Sequence, residues 1–259
     1  MALFCASAAV PALADLHGPG WDGGTVSWTR VYYQGRGGEF TLYPYTTDSL
    51  LLSNSQYASS TGGQSGGAKS FQTFCLESDE YVATPMKIWV SEASVNELNG
   101  SANAYGSGSH AWKGGANTNL GDNLDPKTAY LYTLFATGNL PGYAYTGTVG
   151  ELTRSQTAGA LQRLIWATEG EGGSNFAVPF MDVSLNTAQQ NLITQWNAAY
   201  ANSNWSGIGD VRILQLYQQG PTGAITHSQD QLYLVPVPGA ILLGLLGLGA
   251  AGMRLRKFA

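Results

Sequence analysis

Polar and apolar positions alternate over residues 25–34, with Val26, Trp28, Arg30 and Tyr32 in step. A period of two predicts a strand. Residues 39–45 show the same rhythm around Phe40, Leu42 and Tyr43, and Gly35-Arg36-Gly37-Gly38 lies between the two runs. Two such runs about a glycine-rich turn predict a hairpin. Residues 70–76 and 87–90 predict two further strands. After a polar stretch at 99–123 the apolar period lengthens. Asp125-Pro126 opens a helix as cap and first residue, Tyr130, Leu131, Leu134 and Phe135 form its apolar face, and Gly138 stops it. A second helix starts near Ser155, with Ala158, Leu161, Leu164 and Ile165 at helical spacing, and ends at Gly170. A third runs from Thr187 to about Tyr200 on Leu192, Trp196 and Tyr200. Strands return at 211–217 and 231–235. Strands, then helices, then strands predict an α+β fold: a β-sandwich or barrel-like lobe with an inserted helical lobe.

The two ends have a different character. Residues 2–14 are small and apolar and close on Ala12-Leu13-Ala14, as a signal peptide does before cleavage. Its basic n-region is missing, which is expected if the natural start lies upstream. Cys5 leaves with this segment, so residues 15–234 form the predicted body. At the other end Val235, Pro236, Val237 and Pro238 precede an uncharged, leucine- and glycine-rich run to Met253, and Arg254, Arg256 and Lys257 follow. Counted from Val235, the uncharged stretch of about 19 residues is just long enough to cross a bilayer, with the basic cluster held on the cytoplasmic side. Proline motif, short transmembrane helix and basic stop together resemble the PEP-CTERM sorting signal of Gram-negative bacteria over residues 235–259. Val237 stands where that family usually has glutamate. The resemblance implies an exosortase-type processing enzyme as partner, transient residence in the inner membrane, and release to the cell surface or extracellular matrix of a biofilm. A plain C-terminal anchor is the other reading of the same residues.

Composition narrows the function. Charged residues make up 11% of the chain, well under the usual quarter or so, and the formal net charge is −5. No basic stripe exists to neutralise phosphates, which argues against nucleic acid as a partner. His17, His110 and His227 stand in unrelated contexts, so no metal-ligand spacing is visible and no cofactor is expected.

Candidate chemistry centres on Cys75, the one cysteine left in the predicted body. An unpaired cysteine in an exported protein is unusual. It sits between Phe74 and Leu76, where a small hydrophobe filling a core position is the plain explanation. Gln162, beside the apolar face of the second helix, offers another. A thiol can attack a side-chain amide and expel ammonia, leaving an internal thioester. That bond survives only where water is excluded. Phe74-Cys75-Leu76 and Leu161-Gln162-Arg163-Leu164-Ile165-Trp166 are similar to the two motifs of the thioester domains of Gram-positive surface adhesins. The resemblance implies a Cys75–Gln162 thioester, shielded by Phe74, Leu76, Ile165 and Trp166, that captures an amine on a surface or matrix partner. That would be single-use covalent adhesion, and not an enzyme. Glu77, Asp79 and Glu80 read as solvated edge charges, and Glu169 and Glu171 as surface carboxylates at a helix end. Two other functions stay open. One is a structural matrix protein in which cysteine and glutamine only pack. The other is a carbohydrate-binding β-domain, suggested by seven tryptophans.

Overall fold

A computed structural model describes residues 24–35, 37–45, 70–76, 82, 86–91, 124–170, 184–219, 221 and 225–234. The expected signal segment, the polar stretch at 99–123, the acidic trio at 77–80, Glu171, and Val235 through Lys257 lie outside the described residues. Among the described residues no helix is long and apolar enough to cross a membrane.

The elements run in the order β1 (Thr25–Gln34), β2 (Gly37–Pro44), β3 (Phe71–Thr73), β4 (Met86–Ser91), α1 (Pro126–Ala136), β5 (Thr148–Val149), β6 (Leu152–Thr153), α2 (Arg154–Thr168), α3 (Thr187–Ala201), β7 (Val211–Gln219) and β8 (Ile225–Leu234). The fold is α+β. Among the described residues six strands form one antiparallel sheet in the order β3-β2-β1-β4-β7-β8, and three helices fall between β4 and β7 in the chain. β5 and β6 make a separate small hairpin.

The β1–β2 turn is tighter than the glycine run suggests. Gln34 pairs with Gly37, so only two positions separate the paired residues. Gly35 has φ of 62° and Gly38 has φ of 146°. A Cβ at Gly38 would lie 2.5 Å from Tyr33 Cα, so only glycine fits where the strands cross so closely.

The third strand departs from the expected 70–76. It pairs with β2 only through Thr73, and the next residues change partner. Leu232 N–H donates to Phe74 O and Leu76 N–H donates to Asp230 O, both at 3.1 Å. Residues 71–76 therefore touch β2 on one side and β8 on the other, so the segment that begins as edge strand β3 reaches the opposite edge of the sheet. β8 begins at Ile225, well before the expected 231. Its first half is polar, and Ser228, Gln229, Asp230 and Gln231 are nevertheless buried.

Each helix starts on the cap its sequence offers. Asp125 accepts from Lys127 N–H with Pro126 at the first position. Thr153 with Gln156, and Asn186 with Gln189, form reciprocal capping boxes on α2 and α3. The main core lies between the helices and the β7–β8 end of the sheet, where Phe135, Leu161, Ile165 and Trp196 meet Val211, Ile213, Leu232 and Leu234. A second cluster, including Val26, Leu42, Met86, Ile88, Leu216 and Tyr233, lines the rest of the sheet.

Candidate functional site

Cys75 forms an isolated antiparallel bridge with Gln231. The two flanking bonds, from Leu76 N to Asp230 O and from Leu232 N to Phe74 O, make this a pair that is not itself hydrogen-bonded. Opposed side chains approach most closely at such pairs. Gln231 Nε2–H duly donates to Cys75 Sγ at 3.1 Å. Cys75 is 1% exposed and Gln231 is 0% exposed, and Cys75 is in no disulfide. Gln231 Oε1 has no hydrogen-bond partner among the described residues.

The same register turns the Cys75 N–H and C=O away from β8. β2 has ended its pairing there, so these two groups need another partner in a dry interior. Gln162 supplies it. Cys75 N–H donates to Gln162 Oε1 at 3.0 Å, and Gln162 Nε2–H donates to Cys75 O at 2.7 Å. The side-chain amide acts as a surrogate peptide unit on the vacant side of the strand. Gln162 itself is fully buried. Cys75 and Gln162 thus meet across 87 positions of sequence, in two hydrogen bonds to the cysteine main chain.

Packing holds Gln162 there. Arg154, in the first turn of α2, donates from Nε and Nη2 to both oxygens of Glu39 on β2, at 3.0 and 2.7 Å, and from Nη1 to Tyr145 O at 2.6 Å. Tyr143 OH also donates to Glu39, at 2.7 Å. Burial pushes the Glu39 carboxyl above its usual range, against the lowering effect of Arg154 and Tyr143. Burial acts to lower Arg154, but bonding to Glu39 more than offsets it. Farther along α2, a Cβ on Gly159 would come within 2.8 Å of Gln34 Oε1. The helix therefore sits hard against β1 one turn before Gln162.

The expected shield divides. Trp166, four residues after Gln162 on the same helix face, shares a small apolar cluster with Cys75 and Phe40, flanked by Trp28 and Val82. Phe74, Leu76 and Ile165 lie instead in the main core; strand alternation points Phe74 and Leu76 away from the thiol, and Phe74 packs edge-on to Phe135 at 4.9 Å. Sequence reasoning missed Phe40 and Gln231. Phe40 was visible as an alternating position of β2. Gln231 was visible only as a glutamine heading an apolar strand, a weak signal.

Comparison with known proteins identifies no relative. No family model, curated protein or solved structure matches this chain. The residues themselves must carry the reading.

Glu169 differs from its expectation as a surface carboxylate. It is 8% exposed and accepts from Asp125 N–H through both oxygens at 3.3 Å. It ends α2 yet serves the start of α1, where negative charge is favoured. Among the described residues no group of three or more His, Cys, Asp or Glu could hold a metal ion. A surface depression of about 400 Å³ beside Tyr32, Tyr145 and Arg154 is lined by groups already bonded inward.

Proposed function

We propose that this chain is the body of an exported surface or matrix protein that forms one internal thioester, between Cys75 and Gln231, and uses it to attach covalently to an amine. The observation that carries the reading is the 3.1 Å contact between Gln231 Nε2 and Cys75 Sγ. One amide bond length places the Gln231 carbonyl carbon within about 4.4 Å of the sulfur. A modest side-chain rotation then brings the two to attack distance.

The acyl donor in this account is Gln231 and not Gln162, the residue that the adhesin motifs implied. For Gln162 to react, it would have to leave the Cys75 main chain. That would strand a buried N–H and C=O at roughly 1–3 kcal/mol each. Gln231 gives up only a weak bond to sulfur. When Sγ attacks the Gln231 carbonyl, an S–C bond forms and the C–N bond breaks. The thiol proton passes to the departing nitrogen, which leaves as ammonia. A primary amine later attacks the same carbon, the S–C bond breaks, and the thiol is restored beside a new amide. Nothing in this cycle regenerates the glutamine, so the event is single-use.

The finer architecture in this reading is a barrel-like lobe with an inserted helical lobe, behind a signal segment and ahead of a PEP-CTERM-like transmembrane sorting signal. An exosortase-type enzyme would process the tail, and the body would reach the cell surface or matrix of a Gram-negative host. The amine-bearing partner belongs to that matrix or to a surface it contacts. A second reading, a structural protein whose glutamines only pack, draws support from the purely structural bonding of Gln162.

Incubation with methylamine separates them. Peptide mass spectrometry should locate a methylamide on Gln231 and leave Gln162 unchanged. Unmodified Gln231, with a Cys75 thiol that alkylates in full after unfolding, would support packing alone.

A further inference from the structure

The site holds two buried polar atoms of opposite kind with no hydrogen-bond partner among the described residues: the acceptor Gln231 Oε1 and the donor Trp166 Nε1. Gln231 touches the Cys75 sulfur, and Trp166 belongs to the same small cluster as Cys75. Trp166 is 2% exposed, so water does not compensate its N–H from outside. A buried orphan costs free energy and calls for an explanation. Gln162 fixes the α2 face on which Trp166 stands, because its amide is bonded to Cys75 one helical turn earlier.

We propose that the Trp166 indole N–H stabilises the oxyanion that develops on Gln231 Oε1, both when Cys75 attacks and when an amine opens the thioester. The proposal rests on the Cys75–Gln231 reading. In each step the carbonyl carbon becomes tetrahedral and its oxygen gains negative charge. A donor preorganised in a dry site is worth most at that moment and little before it. A ground state with carbonyl oxygen and indole N–H both unpaired, as here, is the arrangement in which a bond formed only in the transition state accelerates the reaction. Atoms balance as in the cycle above. The thiol proton leaves with ammonia in the first step, and the attacking amine returns a proton to sulfur in the second. Trp166 donates a hydrogen bond throughout and loses no proton.

The test is the sign of a rate change. Trp166→Phe removes the N–H and keeps an aromatic ring. Replacing Trp166 with 3-benzothienylalanine removes the N–H and keeps the full ring shape. If the indole acts as oxyanion donor, methylamine should consume the thioester about 100-fold more slowly in both variants. Spontaneous hydrolysis should slow in parallel. If Trp166 is only a cover over the bond, the smaller Phe admits water and both reactions speed up, while the isosteric ring leaves the rates unchanged. Either result overturns the proposal. The wild-type mass is measured first. A wild-type chain lacking the ammonia deficit sinks the thioester reading itself and this inference with it. A deficit with unslowed variants sinks this inference alone.

Discussion

The side chain of Gln162 does for Cys75 what a neighbouring strand does for an ordinary strand residue. Its two bonds satisfy a buried main-chain N–H and C=O. Gln162→Ala strands both groups, and denaturant unfolding should show a loss of about 2–4 kcal/mol. Gln231→Ala removes only a donor to sulfur and leaves the bridge main chain intact. In protein whose thioester has not formed it should cost about 1 kcal/mol or less. The contrast separates the two glutamines by role. Sequence marked Cys75 and Gln162 because each stands out locally, a thiol in an apolar strand and an amide beside an apolar helix face. Gln231 stands at the end of Ser228-Gln229-Asp230-Gln231, a polar run whose burial no local pattern announces. What buries it is pairing with residues 74–76, and such pairing is not encoded by periodicity.

The elements around the site depend on one buried ion pair. Arg154 and Glu39 hold the start of α2 on β2 at 2.7 Å, with both side chains at 5% exposure or less. Arg154→Met leaves Glu39 buried without its counter-charge, and the expected loss is about 3–5 kcal/mol. Adding Glu39→Leu should recover much of it, which thermal or denaturant melts of the single and double variants would show. Tyr143 and Tyr145 flank this pair. Burial raises both phenols well above their ordinary value, and the Glu39 charge adds to the effect. Their contribution to stability is therefore complete below the unfolded phenol value of about 10. It is lost as pH rises from there toward the folded values. Melting midpoints taken from pH 9 upward should fall beyond about pH 10. Phenolate absorbance from these two residues should appear only with unfolding. The helices were legible because their caps are local: Asp125-Pro126, and the glycine stops Gly138 and Gly170, each with positive φ. The α2 capping box at Thr153 and Gln156 sets its start one residue before Ser155. The Glu39–Arg154 pair spans 115 positions and left no local trace.

Across the whole molecule, the α+β class followed from the order of periods along the chain. The sheet order did not, because β4 pairs with β7 across the inserted helices. Nor did the switch of residues 71–76 from β2 to β8, which brings Cys75 and Gln231 together. A Cys75–Gln231 bond would cross-link positions 156 apart and lock the two edge strands to each other. Treating it as any covalent loop closure, the unfolded chain loses freedom worth up to about 5 kcal/mol. Opening the bond with methylamine should lower the melting temperature of the wild type and leave Gln231→Ala unmoved. The most direct test is the intact mass of the purified chain, compared with Cys75→Ala, Gln231→Ala and Gln162→Asn. The thioester account predicts a wild-type mass lower than its sequence by one ammonia, and full masses for Cys75→Ala and Gln231→Ala. It predicts that the deficit persists in whatever fraction of Gln162→Asn folds. A full-length wild-type mass, or a deficit that survives in Gln231→Ala, would contradict it.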